Sequence, residues 1–435
     1  MYTPLCVRLY VERERAIVIP QDLVKADVND EAWVEHGVLA RKASLEVSAG
    51  NDILLSDDLI KHLGIAQQAA YRILVRANSI RLGPVIGVLA AARYGELSSE
   101  RLRAVSAHFF HQVHRGGLLF AFSRDAIDLV QRTIAGYRYS SDDRWHAGVF
   151  PLPQVVFRRY GVGLGSGLES LQMCGVKVFN ERLFHKGEAW QWMARTEEVG
   201  PFLPDTVPLE GINRVLDMLK RHDTVYVKPV WGSLATGIIR IKLHSQGYFV
   251  TITGIAPANY PNENTMIAGI KRHLPRHGIV QQGLDLVSPG GRLLDFRLVV
   301  QKDISGKWSV TGIVARAGEQ GLHVSNMATG GFPLPVEHAL KILFGDNARE
   351  VFMRMEELTT LGVAVGESLD HGGLLIGDLG LDIAYDKRGH PWVIEANNRD
   401  PDHNIAWESG NWPLFYKARA TPVDFACYLA GFGRE

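Results

Sequence analysis

A chain of 435 residues with 46% apolar and 22% charged residues is too long for one core and too apolar for extensive disorder, so two or three folded domains are expected. Lysine plus arginine and aspartate plus glutamate each number 47, and this balance argues against a protein that tracks nucleic acid along a basic stripe. Three scattered cysteines, Cys6, Cys174 and Cys427, supply neither a disulfide framework nor a zinc knuckle. The first twenty residues alternate charged with apolar positions, so neither an export signal nor a membrane span is expected, and the chain is assigned to the cytoplasm.

Short apolar runs over residues 1–82, among them "ERAIVIP", "DILLSDDLI" and "AYRILVRA", predict a small β-rich accessory module. Val85 to Ala90 is continuously apolar, as in a strand buried on both faces of a parallel sheet. Ser98 and Ser99 can cap a helix through "ERLRAVSAHFFHQVH", and Asp125 opens a second helical candidate, "AIDLVQRTI". His108, His111 and His114 fall at helical spacing, but with Phe109, Phe110 and Val113 they make an amphipathic helix that needs no metal. A strand, the glycine-rich "GVGLGSGLES", a helix and a strand follow, a βαβ unit that makes residues 83–180 an α/β domain. Its glycines alternate and miss the GxGxxG spacing, so capping the next helix accounts for them more simply than an acceptor substrate does. Beyond residue 180, strand pairs dominate, with a helix whose face is Ile212, Val215, Leu216 and Leu219 and a long helix near "HALKILFGDNAREVFMRMEELTTL". Trp190, Trp192, Trp407 and Trp412 are assigned to core or interface, because no basic excess accompanies them as in a stacking platform for nucleic acid.

Three constellations carry chemistry. In "VYVKPVWGSLATGIIRI", Lys228 leaves an apolar strand beside a loop holding Gly232, Ser233 and Gly237, where an ammonium and free backbone N–H groups can face a polyphosphate; a plain β-hairpin with a surface lysine is the alternative. In "GLDIAYDKRGHPWVIEANN", a turn joins strands that carry Asp382, Glu395 and Asn397, with the last two on one face at period two. Two carboxylates and an amide oxygen form the hard donor set that Mg²⁺ accepts when phosphates and water complete its shell. Arg297 and Arg316 each sit in an apolar strand, where a guanidinium suits phosphate or carboxylate; taken alone they are more simply salt-bridge partners, for instance Arg297 with Asp295 or another acid.

Taken in order, "YVKPVWGSLATGI", "QQGLDL", "DFRLVVQ", "GIVAR", "SNMATGG" and "GLDI…WVIEANN" resemble the ATP-grasp superfamily, and within it the YheC/YheD family of endospore coat-associated proteins, over roughly residues 180 to 410. The resemblance implies a fold of α/β and α+β class: an ATP-grasp domain over 181–435, preceded by a Rossmann-like pre-ATP-grasp domain over 83–180 and the β-rich module over 1–82. A lysine-loop lobe would span about 201–275 and a metal-binding lobe about 276–435. It further implies ATP as ligand, with Mg²⁺, or Mn²⁺ in its place, on Asp382, Glu395 and Asn397. Lys228 and Arg316 would lie on phosphate, Arg297 near phosphate or an acyl-phosphate, and Gly232, Ser233, Gly237 and Asn326 in loops around the nucleotide. The family's acidic adenine-side linker is replaced by Gln281 and Gln282, which leaves Asp285 and backbone groups for that role. Lys186 is the candidate for the earlier lysine, although His185 stands where an aspartate is common.

The expected activity is an ATP-dependent ligase that joins a carboxylate to an amine or a thiol through an acyl-phosphate, with neither nucleic acid nor membrane as partner and a homo-oligomer compatible with the chain. Two alternatives stand beside it: a nucleotide-binding structural protein of the spore coat with slight turnover, and a small-molecule kinase.

Overall fold

The computed structural model describes residues 5–10, 14–24, 29–66, 69–110, 114–140, 142–159, 167–232, 236–320, 330–398, 401 and 403–433. Seven strands, Leu5–Tyr10, Ala16–Pro20, Glu31–His36, Leu39–Ser48, Ile53–Ser56, Ala70–Arg76 and Ser79–Gly83, close into a barrel in the order first, fifth, second, fourth, third, seventh, sixth. Alternation sets its inside: along Glu31–His36, Ala32, Val34 and His36 point inward. His36 is fully buried, with Nδ1 3.0 Å from the Leu63 carbonyl. Burial draws its pKa from 6.5 down to about 4, against a smaller opposing pull from that carbonyl.

A pH dependence follows. Between about pH 6.5 and pH 4 the unfolded chain binds a proton at this histidine and the folded barrel does not, so stability is intact above that window and falls as the pH falls through it, by roughly 3 kcal/mol across the full shift. Thermal unfolding scanned from about pH 7.5 to about pH 4.5 should show a falling Tm, and a visibly shallower fall in His36→Gln; equal slopes would place the acid sensitivity elsewhere.

The next sheet has six strands in the spatial order Trp145–Pro151, Thr133–Tyr139, Leu118–Asp128, Val85–Ala91, Val155–Arg158 and Lys177–Phe179. Val85–Ala91 is buried at every position and pairs in parallel with a strand on each side, as its unbroken apolar run requires. The sheet is mixed, because its outer two pairings, through Thr133–Tyr139, are antiparallel. The helix expected from Asp125 is absent: that stretch ends a strand and turns, with the Asp128 carboxylate accepting from the backbone N–H of Val130 and Gln131. The helix after Ser98 runs over Ser99–Ser106, capped by that serine. A C-terminal helix, Trp412–Leu429, packs back onto this sheet, burying Val423, Phe425, Ala426 and Cys427 in the same core as Ile86, Val88 and Phe157.

Two antiparallel sheets complete the chain. The first orders Thr206–Pro208, Gly278–Gln282, Thr224–Pro229, Ile239–His244, Gly247–Ile252 and Ile255–Tyr260, and thus takes in Gly278–Gln282, beyond the limit of about 275 expected for that lobe. Helices Ile212–Arg221 and Glu263–Ile270 cover one face, where Val215, Met218 and Leu219 meet Val225, Val227, Ile241 and Val280. The second sheet orders Phe332–Leu334, Trp308–Ala317, Leu294–Lys302, Asp378–Tyr385 and Pro391–Asn397. The long helix expected there is two, Val336–Phe344 and Ala348–Asp370, broken at Gly345, where φ is 88°, and restarted by an Asn347 cap. The longer one lies close on the sheet because Gly362 and Gly366 face it; a Cβ on Gly366 would stand 2.7 Å from Trp308.

Candidate active site

The two faces of the second sheet divide by alternation. Phe296, Leu298, Leu381, Ile383 and Val393 turn toward the helices, so Asp295, Arg297 and Asp382 turn the other way. Directly opposed residues share a face, and the register opposes Arg316 to Asp295, Asp382 to Arg297 and Glu395 to Asp382. Asn397, two residues beyond Glu395, joins the same row. A bulge makes this possible: the register steps from Asp382 opposite Glu395 to Ile383 opposite Val393, so Ile394 is the extra residue. Val393 thereby stays in the core while Glu395 and Asn397 face the polar side.

The row is a buried charge network. Arg297 donates from Nε and Nη2 to the two Asp382 oxygens at 2.6 and 3.1 Å. Arg316 donates to Asp295 at 2.7 and 2.5 Å and lies 2.9 Å from Asp382 Oδ1. Burial alone would raise the Asp382 pKa; Arg297 and Arg316 outweigh it and hold the carboxyl at about 2. For Arg316, burial works against the charge, and Asp382 and Asp295 more than restore it. Both arginines therefore engage acids, as expected for them taken alone, but Asp295 is held by Arg316 and Arg297 pairs with Asp382 instead.

On the lysine sheet, Val225 and Val227 face the core, so Tyr226 and Lys228 turn to the opposite side. The Lys228 ammonium donates to Gln281 Oε1 at 2.5 Å, and Gln281 passes the contact on to the Thr206 hydroxyl at 3.0 Å. Burial draws Lys228 down to about 8, Glu395 opposes this, and Lys186 adds to it. Lys186 begins helix Lys186–Met193, whose N-cap is His185: the imidazole accepts from the Glu188 N–H, and the Glu188 carboxylate accepts from the His185 N–H. The histidine in the expected place of an aspartate thus performs a cap's work. Lys186 reaches Glu395 Oε1 at 2.8 Å and the Gly232 carbonyl at 2.9 Å.

These groups line one cleft between the sheets: Lys186, Lys228, Gln281 and Glu395 at its polar end, with Trp190, Met193, Leu203, Pro204, Ile279 and Ile394 as an apolar wall. The wall was not foreseen, although Lys186, Ala189, Trp190 and Met193 recur at the spacing of a single helix face. Gln282 bonds the Asp205 backbone, and Asp285 is exposed and pairs with Lys387 at 2.9 Å; neither lines the cleft. Gly237 has a positive φ of 72° in the loop after Lys228. Ser233 and Asn326 lie outside the described residues, as does His111. His108 is buried away from the cleft, against Arg419 and Phe157.

Asp382, Glu395 and Asn397 fit a hard divalent cation by donor type and shared face. Among the described residues no three His, Cys, Asp or Glu side chains converge as a cage, and Mg²⁺ bound to a nucleotide needs none, since phosphates and water fill its octahedron.

A cleft between two antiparallel sheets, with Lys228 from one and Glu395 from the other and Lys186 at a helix start between them, is the architecture of an ATP-grasp protein; Asp382, Asn397, Arg297 and Arg316 share the polar face of the second sheet without lining the cleft. Residues 175–429, more than half of the chain, match the model of the YheC/D-like ATP-grasp family, and the chain belongs to that family. It is 27% identical over 397 residues to the endospore coat-associated protein YheD of Bacillus subtilis (strain 168), covering 87% of this chain and 86% of that one. The endospore coat-associated protein YheC of the same organism is 19% identical over 279 residues, 62% of this chain and 76% of that one. Among solved structures, the VanG D-Ala:D-Ser ligase from Enterococcus faecalis is similar at 11% identity and a TM-score of 0.45, over 80% of this chain and 98% of that one. No helix among the described residues is long and apolar enough to cross a membrane.

Proposed function

We propose that this chain is an ATP- and Mg²⁺-dependent ligase that joins a carboxylate to an amine or thiol through an acyl-phosphate. The observation that carries the proposal is the convergence of Lys186, Lys228 and Glu395 on one cleft. The apolar wall from Trp190 to Ile394 takes the adenine, whose flat faces gain from leaving water. Lys228 and Lys186 meet the phosphates, and an anion beside Lys228 restores the charge that burial weakens there. Glu395 and Asn397, with Asp382 behind them, would hold Mg²⁺, which would supply neutralisation of phosphate charge. Arg297 and Arg316, on the same face, offset the charge that spreads as the γ-phosphoryl moves.

In the first step a carboxylate oxygen of the substrate attacks the γ-phosphorus and the bond to ADP breaks. In the second, the amine or thiol attacks the acyl carbon, phosphate leaves with the former carboxylate oxygen, and the nucleophile's proton is lost. No protein nucleophile is required; the chain positions the reactants and neutralises charge. The names of the curated relatives associate those proteins with the endospore coat, and we extend that setting, construction of the spore envelope from the cytoplasmic side, to this chain.

The test is product analysis after incubation with ATP, Mg²⁺ and pooled amino acids, peptides and cell-wall precursors. ADP together with a new amide or thioester is the expected result. ADP with a phosphate ester would make the protein a kinase, and nucleotide binding without ADP would make it a structural member of its family.

A further inference from the structure

The contact between Lys186 and Glu395 has the ligand-binding face of a metal site already occupied by a cation of the chain itself. Lys186 Nζ stands 2.8 Å from Glu395 Oε1, and a second of its three donors goes to the Gly232 carbonyl at 2.9 Å. The lysine is therefore held from both sides of the cleft: Gly232 follows the lysine strand, and Glu395 belongs to the facing sheet. Its backbone N–H is tied as well, to the Val230 carbonyl at 3.3 Å. The side chains are 18% and 29% exposed, partly desolvated, where water and salt screen charge less than at an open surface. Lys228 lines the same cleft and is already pressed by Lys186.

We infer that Lys186 is the resting counter-ion of Glu395, and that it competes with the divalent cation until nucleotide phosphates arrive to accept the displaced ammonium. This inference rests on the proposal that Glu395 is a metal ligand, and goes beyond it by setting the order of entry. A metal ion alone would have to sit beside Glu395 against the repulsion of Lys186, with no anion to receive the lysine. Metal and phosphates arriving together meet no such conflict: Glu395 exchanges one cation for another, and Lys186 exchanges a carboxylate for a phosphate oxygen. Free metal then binds poorly, and metal and nucleotide strengthen each other's binding reciprocally.

The experiment uses Mn²⁺ as the probe, measured by the loss of its free-ion magnetic resonance signal on the full chain without nucleotide. Lys186→Met should bind Mn²⁺ about tenfold or more tightly than the parent, while its affinity for a non-hydrolysable ATP analogue with Mg²⁺ falls. Lys186→Gln, which keeps a donor for the Gly232 carbonyl, should show the same gain, and Lys186→Arg, which keeps the charge, should show none. The gain should vanish in Lys186→Met with Glu395→Gln. Unchanged or weaker Mn²⁺ binding in both neutral variants, with nucleotide-dependent metal binding still sensitive to Glu395→Gln, would overturn the competition and leave the metal site standing. Metal binding insensitive to Glu395→Gln in every background would overturn both.

Discussion

Replacing Glu395 with glutamine should leave a folded protein whose phosphoryl transfer is slower by roughly two to three orders of magnitude. The substitution keeps size and hydrogen-bonding capacity and removes only the charge. Its partner in the structure is Lys186, and that partly exposed pair contributes on the order of 1 kcal/mol at most, so the urea midpoint should hardly move. On the proposed metal role, the loss comes from weakened metal binding: Glu395 is the one acid of the row that no arginine engages in the contacts described above, which leaves it the most able to change partners. Asn397→Ala should lower the rate in the same direction, and the two changes together should cost little more than the worse one, because both serve one site. ADP release, measured beside urea unfolding, checks the pair of outcomes; a rate within a few-fold of the parent would place the metal elsewhere.

Asp382→Asn should behave differently, losing stability as well as activity. Asp382 accepts from Arg297 at 2.6 and 3.1 Å and lies 2.9 Å from Arg316, and all three side chains are buried. Without its charge, Arg297 loses the carboxylate it donates to, while Arg316 keeps Asp295. Removing one partner from such a buried network costs about 3 to 5 kcal/mol, because a cation remains desolvated without compensation. The low pKa of Asp382 carries the same information: its contribution is fully present above the ordinary carboxylate range and is lost only as the pH falls toward about 2. Urea unfolding at neutral pH should therefore separate Asp382→Asn from Glu395→Gln. Equal stability of the two variants would mean that the arginines are free to serve phosphate without Asp382.

How much of this was legible beforehand differs by kind of contact. The strands bearing Lys228, Arg297, Arg316, Asp382 and Glu395 were visible as apolar runs interrupted by charge, and their order along the chain pointed to the family. Period-two alternation placed Glu395 and Asn397 on one face. The bulge at Ile394 was not visible, since an extra residue at the end of the apolar run Trp392–Ile394 leaves no local mark of its own. The arginine–aspartate pairs join residues 85 and 21 positions apart, a matter of sheet register that no local pattern records. Closure of the barrel was hidden for the same reason: Leu5–Tyr10 pairs in parallel with Ile53–Ser56, and Glu31–His36 with Ser79–Gly83. The stretch after Asp125 looked helical because Ile127, Val130 and Ile134 mimic a 3.6-residue period, but the Asp128 turn and strand pairing prevailed. Cleft residues such as Leu203 and Ile279 carry no chemical signature and become site residues only when two sheets face each other.

The most direct test of the account is calorimetric titration of the parent and of Lys228→Ala with a non-hydrolysable ATP analogue in the presence of Mg²⁺. The lysine is drawn from the strand that builds one wall of the cleft, faces the acid row on the other, and requires no knowledge of the acceptor substrate. The account predicts saturable one-to-one binding by the parent and affinity weaker by about tenfold to a hundredfold in Lys228→Ala, with the fold retained. Binding of equal strength in both proteins would contradict it.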